Sequence, residues 1–346
     1  MKILGIETSC DETAASVIEA GERGIKVLSN MVSSQVEIHK KYGGVIPEVA
    51  ARQHILNILP VINKALEEAG LNRNTAPKEL KAVAVANGPG LITSLIVGVE
   101  SAKSLSFAWN LPLIPINHIE GHIYSNFIEH ADQIRFPALV LTVSGGHTML
   151  VLMKGHQNYQ IIGDTRDDAA GEAFDKAAQI LDLGYPGGPE VARRAGEFKK
   201  QGSSTDIVFP RPMLKSNDFN FSFSGLKTSL LYKVEKDKDW QSKVSAYSFS
   251  FQEAIIDVLT QKAIRAGKEF GIKTLMLSGG VSANSELVDH LRKEVKESLE
   301  GVEFFHPERA YTTDNAAMIA AAAYYRARAG KFQNPGDVSV HCNAEL

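Results

Sequence analysis

The stretch Phe136-Pro-Ala-Leu-Val-Leu-Thr142-Val143-Ser144-Gly145-Gly146-His147-Thr148-Met-Leu-Val-Leu-Met153 reads as an apolar strand, a short polar turn and a second apolar strand. The same order opens the chain. Lys2 to Glu7 is strand-like with an apolar centre, Thr8, Ser9, Asp11, Glu12 and Thr13 supply a polar tip, and Ala14 to Ile18 resume the strand. Each tip offers backbone amides and hydroxyls that can cradle a phosphate, although an ordinary hairpin turn has the same composition. Outward from the two hairpins the parallel continues. Lys81 to Ala86 is a buried strand, Asn87-Gly88-Pro89-Gly90 a tight turn and Leu91 to Trp109 a helix; Lys273 to Ser278, Gly279-Gly280 and a helix to about Leu299 repeat that series. Leu113 to Ile116 is answered by Val302 to His306. The helix that opens at His118 is answered by one opening at Asp314. An internal repeat of this length means two similarly folded lobes.

A duplicated α/β unit with two polar hairpin tips and two glycine turns is the pattern of the actin-like ATPase (ASKHA) architecture, with a cleft between the lobes. The expected lobes are residues 1–134 and 135–346, the second with a helical insertion around 165–270. Within the first lobe, a helical region is expected from about Ser33 to Leu71, broken at Gly43-Gly44 and Pro47. Its apolar positions Ile55, Ile58, Leu59, Ile62 and Leu66 recur at helical spacing and are expected in the core. His39, Lys40 and Lys41, with Arg52 and His54 nearby, form a basic cluster that could face RNA phosphates or simply be solvated.

Asn117-His118-Ile119-Glu120-Gly121-His122 carries the chemistry. Two histidines four apart on a helix share one face and can converge on one metal ion; the same spacing also describes an ordinary pair of surface or hydrogen-bonded helix histidines. Glu120 is not in the metalloprotease register His-Glu-x-x-His, so it points elsewhere. The repeat supplies a third ligand. If the lobes are related by a pseudo-twofold, Asp314 approaches His118 and His122 across the cleft, and one divalent ion bound by two imidazoles and a carboxylate becomes the expectation. Two His and one Asp suit iron and zinc alike.

The composition, 44% hydrophobic and 22% charged with a net charge of −3, describes a soluble globular chain that is not basic overall. Nucleic-acid binding would have to come from local patches or partners. The densest basic region is Arg193-Arg194, Lys199-Lys200, Arg211 and Lys215, which reads equally as a nucleic-acid-facing or a solvated surface. The two cysteines, Cys10 and Cys342, have no metal-type spacing, and no signal peptide or long uncharged apolar run is present, so a cytoplasmic protein without a membrane span is expected.

Seven ordered motifs then carry a specific resemblance over essentially the whole chain: Ile6-Glu7-Thr8-Ser9-Cys10-Asp11-Glu12-Thr13, Asn117-His118-x-x-Gly121-His122, Ser144-Gly145-Gly146-His147-Thr148, Asp168 to Lys176, Tyr185-Pro-Gly-Gly188-Pro189, Phe221 to Lys227, and Gly279 to Asn284. The chain resembles the TsaD family, bacterial tRNA threonylcarbamoyladenosine transferases once labelled O-sialoglycoprotein endopeptidases. The resemblance implies transfer of a threonylcarbamoyl group from threonylcarbamoyl-AMP to N6 of the adenosine just 3′ of the anticodon, in tRNAs reading codons that begin with A. It implies an iron-type metal site on His118, His122 and Asp314, with Fe(2+) the first expectation and Zn(2+) the second. It implies substrate binding at Thr142, Val143, Ser144, Gly145 and Gly146 and at Asp175, Gly188 and Asn284. Asp11 and Glu12 resemble family residues linked to activity. The implied partners are tRNA, a paralogous actin-like subunit (TsaB-type) and a small P-loop ATPase (TsaE-type). Two other readings stay open: a metal-dependent peptidase, and a nucleotide-binding scaffold without catalysis.

Overall fold

The computed structural model describes residues 1–22 and 24–346. The chain divides into two compact units, Met1–Ile134 with Pro307–Leu346, and Arg135–His306.

In the first unit β1 (Lys2–Glu7), β2 (Glu12–Gly21) and β3 (Gly24–Ser34) form an antiparallel meander. After α1 (Val36–His39), α2 (Pro47–Glu68) and α3 (Ala76–Glu79) come β4 (Leu80–Gly88), α4 (Ile92–Trp109), β5 (Leu113–Asn117), α5 (His118–Tyr124) and α6 (Phe127–His130). The sheet order is β3-β2-β1-β4-β5, with β4 and β5 parallel to β1. In the second unit β6 (Ala138–Val143), β7 (Thr148–Gly155) and β8 (Asn158–Asp164) form the equivalent meander. Four helices follow, α7 (Ala170–Ile180), α8 (Gly187–Lys200), α9 (Ser224–Lys236) and α10 (Val244–Phe270), before β9 (Thr274–Ser278), α11 (Ser285–Ser298) and β10 (Glu303–Phe305). The sheet order β10-β9-β6-β7-β8 is the first sheet's order strand for strand. The chain therefore has two actin-like lobes of one topology.

The strands form where the sequence is continuously apolar. β1, β4, β5, β6 and β9 are buried along almost their whole length, as strands covered on both faces must be. The third strand of each meander was not foreseen: the helix expected from Ser33 begins only at Val36, because Gly24–Ser34 pairs along β2.

The last α-helix, α12 (Ala316–Arg328), departs from the expected boundary. It packs on β1 and β2, so Pro307–Leu346 folds with the first unit, not with the C-terminal lobe to which the repeat assigned it. The physical cause is the alanine run. Residues 316–325 are all buried, and a Cβ on Gly5 of β1 would stand 2.4 Å from the Ala316 carbonyl oxygen. Only small side chains permit a helix to lie that close to a strand. A second departure concerns α2. Ile58, Ile62 and Leu66 enter the core beside Leu4, Val83 and Val99, but Ile55 is 64% and Leu59 57% exposed. No helix among the described residues is long and apolar enough to cross a membrane.

Candidate metal centre

Asn117 ends β5 and caps α5, its side-chain oxygen accepting hydrogen bonds from Ile119 N (2.8 Å) and Glu120 N (3.3 Å). That cap starts the helix so that His118 and His122 stack one turn apart, ring centroids 4.6 Å apart and nearly perpendicular. Asp314, just before α12, brings Oδ1 to 3.1 Å from His122 Nε2 and 3.6 Å from His118 Nε2. One ligand atom from each residue lies within 4.8 Å of the other two. All three belong to the first unit, so Asp314 reaches the histidines because α12 lies on the same sheet. The expected approach across a cleft is corrected to this.

The donor set fits a divalent ion. His122 is fully buried, yet neither of its ring nitrogens makes a hydrogen bond; the nearby Asp314 oxygen approaches without hydrogen-bonding geometry. A buried imidazole without a hydrogen bond is costly unless its lone pair has another acceptor such as a metal. His118 is oriented from behind: Glu7 Oε2, on fully buried Glu7 at the end of β1, lies 3.1 Å from Nδ1, as does Ser9 Oγ. A proton held on Nδ1 by that carboxylate leaves Nε2 as the ligand atom. Burial disfavours the charged ring, but the Asp314 and Glu7 carboxylates outweigh it and raise His118 to about 9. Two carboxylates therefore attract positive charge to a buried pocket. Glu7, missed in the sequence as an ordinary strand end, is legible only as a charged residue closing the apolar run Ile3 to Ile6.

Glu120 does point elsewhere. Its Oε2 accepts from Arg326 Nε (2.8 Å) and Nη2, and Arg326 Nη1 also reaches the Pro115 carbonyl (3.3 Å), which ties α5 to α12. Asp11 and Glu12 occupy the β1–β2 tip of this unit, Asp11 buried and Glu12 half-buried. Burial, then the charges of Asp314 and Asp11, push the Glu12 carboxyl well above the usual carboxylate range.

The remaining predicted residues lie in the second unit. Thr142 Oγ1 is 3.0 Å from Ser278 Oγ, and the tip Ser144–His147 is closed by Ser144 N donating to His147 O at 2.8 Å. Gly171 and Gly279 press against this tip: a Cβ on either would meet Ser144 O at 2.5 Å or Val143 O at 2.4 Å. Asp175 accepts from Gly187 N at 2.8 Å, at the start of α8. Gly188 beside it is open, its nearest neighbour for a Cβ being Phe174 at 3.9 Å. Asn284 caps α11 by accepting from Glu286 N and Leu287 N, and its amide donates to Gln252 Oε1 at 2.9 Å. Lys176 of α7 pairs with both Asp168, just before the helix, and Glu172 on it, which neutralises those carboxylates. Four residues of the basic stretch are likewise engaged: Arg193 and Arg194 pair with Glu197, Lys199 with Glu286 and Arg211 with Asp257.

A family model described as TsaD, tRNA N6-adenosine threonylcarbamoyltransferase, matches residues 26–321. The curated tRNA N6-adenosine threonylcarbamoyltransferase of Dehalococcoides mccartyi is 50% identical over 96% of this chain and 95% of its own length. That of Syntrophomonas wolfei is 48% identical over 93% and 91%. Among solved structures, HypF of T. kodakarensis superposes with a TM-score of 0.65 at 14% identity, over 96% of this chain and 49% of that one, which is a likeness of fold.

Proposed function

The chain belongs to the TsaD family of tRNA N6-adenosine threonylcarbamoyltransferases, and from that premise we propose that it transfers threonylcarbamoyl from threonylcarbamoyl-AMP to N6 of the adenosine 3′ of the anticodon, in tRNAs reading codons that begin with A. The observation that carries a catalytic reading is the convergence of His118, His122 and Asp314 within 4.8 Å, with both nitrogens of buried His122 lacking hydrogen bonds. A scaffold has no need of that arrangement.

In the reaction the exocyclic amine attacks the carbamoyl carbon, a C–N bond forms, the carbon–oxygen bond to the adenylate phosphate breaks, and the amine loses a proton. AMP is a good leaving group and an aromatic amine a poor nucleophile, so positioning dominates. An ion held by His118, His122 and Asp314, iron first and zinc second, supplies Lewis acidity toward a phosphate or carbonyl oxygen when bound. At the other tip, Ser144 N is already donated to His147 O, which leaves the exposed Gly145 and Gly146 amides to meet developing negative charge. Asp175, Gly188 and Asn284 are assigned to the adenylate by family position, Asn284 standing where its Oδ1 caps α11 and its amide N–H donates to Gln252. Glu12, raised by burial, suits a group that takes the amine proton, with Asp11 beside it.

The family implies a paralogous actin-like subunit and a small P-loop ATPase as partners in the cytoplasm. Ile55, Leu56 and Leu59 of α2, with Ile92 and Ile96 of α4, are exposed apolar residues that support a protein-docking surface. Nothing favours the peptidase reading, since Glu120 is held by Arg326 and cannot activate a water. Incubation with threonylcarbamoyl-AMP and unmodified tRNA, followed by nucleoside mass spectrometry, should yield threonylcarbamoyladenosine and leave casein intact. Casein cleavage without the modified nucleoside would overturn the proposal.

A further inference from the structure

Lys40, Lys41 and Tyr42 form one 3-10 turn directly after α1, and all three are exposed, Tyr42 to 60%. Among the described residues neither lysine has an ion pair. The turn is fixed from beneath by groups that are themselves buried. Gln35 N donates to the Asp11 carbonyl at 3.1 Å. His39, fully buried, accepts from Ile46 N (3.3 Å) on Nδ1 and so donates from Nε2 to Gln35 Oε1 (3.2 Å). His54, also fully buried, donates from Nε2 to the Cys10 carbonyl (2.9 Å) and accepts from Thr13 Oγ1 (2.8 Å) on Nδ1. Both histidines of the basic cluster are thus structural: His39 braces the turn against Gln35 and Ile46, Gln35 ties it to the hairpin tip that carries Asp11 and Glu12, and His54 ties α2 to that same tip. From Gln35 to Tyr42 the chain advances by at most about 14 Å in helical conformation.

We infer that Tyr42, with Lys40 and Lys41, is a docking point for single-stranded nucleotides of the anticodon loop, the ring stacking on a base and the ammonium groups meeting phosphates. The inference rests on the transferase reading. A target base must leave its stack to be acylated, so its neighbours in the loop are unstacked nearby and need a platform. An exposed aromatic ring on an anchored turn, beside two lysines without ion pairs, is that platform, and the two cations select a phosphate backbone over an apolar protein face. The pre-formed turn also limits the ordering entropy lost on binding.

The test is anisotropy of labelled unmodified tRNA on the full chain, using wild-type protein first shown to form the modified nucleoside. Tyr42→Ala should weaken binding about 5- to 150-fold while Tyr42→Phe stays within about twofold of wild type. The Lys40→Ala/Lys41→Ala protein should flatten the dependence of log affinity on log salt by about 1.4 to 1.8. Lys268→Ala, exposed at the end of α10, should do neither. Wild-type affinity and slope in the Tyr42→Ala and double-lysine proteins would overturn the inference, as would lost association with a protein at unchanged tRNA affinity. A wild-type protein that forms no modified nucleoside would instead refute the transferase reading itself.

Discussion

Replacing Arg326 by Met tests how the ligand helices are held. The Glu120 side chain is 1% exposed and takes two hydrogen bonds from a guanidinium that is itself 28% exposed. Arg326→Met leaves the Glu120 carboxylate buried without its cation, and stranding one member of such a pair costs about 3–5 kcal/mol. Glu120→Gln costs less, about 1.5–3 kcal/mol, because it removes a charged hydrogen bond while the remaining guanidinium still reaches Pro115 O and solvent. The double variant Glu120→Leu/Arg326→Met should return to within about 1 kcal/mol of wild type, since an apolar pair of similar volume replaces the ionic one. The chain has two tryptophans, Trp109 in the first unit and Trp240 in the second. In a Trp240→Phe background, urea unfolding followed by Trp109 fluorescence therefore reports the unit concerned. Because α5 carries both histidines and Asp314 stands two residues before α12, Arg326→Met should also weaken metal binding about 10-fold or more, read by calorimetric titration. An Arg326→Met cost below about 1 kcal/mol, or a double variant as unstable as the sum of its parts, would refute the reasoning.

Further predictions concern the same unit. Glu7→Gln can still accept from His118 Nδ1 but no longer polarises the ring, so metal affinity should fall about 10-fold with little change in melting temperature. Gly5→Ala places a Cβ 2.4 Å from the fixed Ala316 carbonyl and should cost about 1–3 kcal/mol in the Trp109 assay, displacing α12 and lowering metal occupancy with it. Burial, then the hydrogen bond shared with Glu308, raises Glu129 to about 7 from 4.5. The folded state then holds a proton that the unfolded chain releases, so this contribution is full below about pH 4.5 and is lost as pH rises through about 7. Glu129→Gln should flatten stability across that window in melts at stepped pH.

The fold was legible where the pattern was local. The two hairpins show as apolar runs around four-residue tips, and the parallel strands as continuous apolar segments before glycine turns, which is enough to order four strands of each sheet but not β3 and β8, whose polar residues hide them. What the sequence could not tell was destination. An alanine helix such as Ala316–Arg328 has no polar face to say which sheet it will cover, so the repeat placed it with the wrong unit while still selecting Asp314 as a ligand. Helix α2 carries apolar residues on two faces, and periodicity alone does not separate Ile58 and Ile62, which are buried, from Ile55 and Leu59, which are not. Histidine spacing identified His118 and His122. Their supports, Glu7 and the Glu120–Arg326 clamp, depend on partners 111 and 206 residues away in the chain and carry no local signal.

The central claim is that His118, His122 and Asp314 hold the metal ion on which transfer depends. Asp314→Asn tests it most directly, because a carboxamide keeps the shape of the side chain and removes the charge that strengthens metal binding. Threonylcarbamoyladenosine should be quantified in tRNA incubated with threonylcarbamoyl-AMP and either wild-type or Asp314→Asn protein, with metal content measured on the same samples. A variant that melts within about 0.5 kcal/mol of wild type, having lost both its metal and the modified nucleoside, is the expected result. Full formation of the nucleoside by a metal-free Asp314→Asn protein would contradict the account.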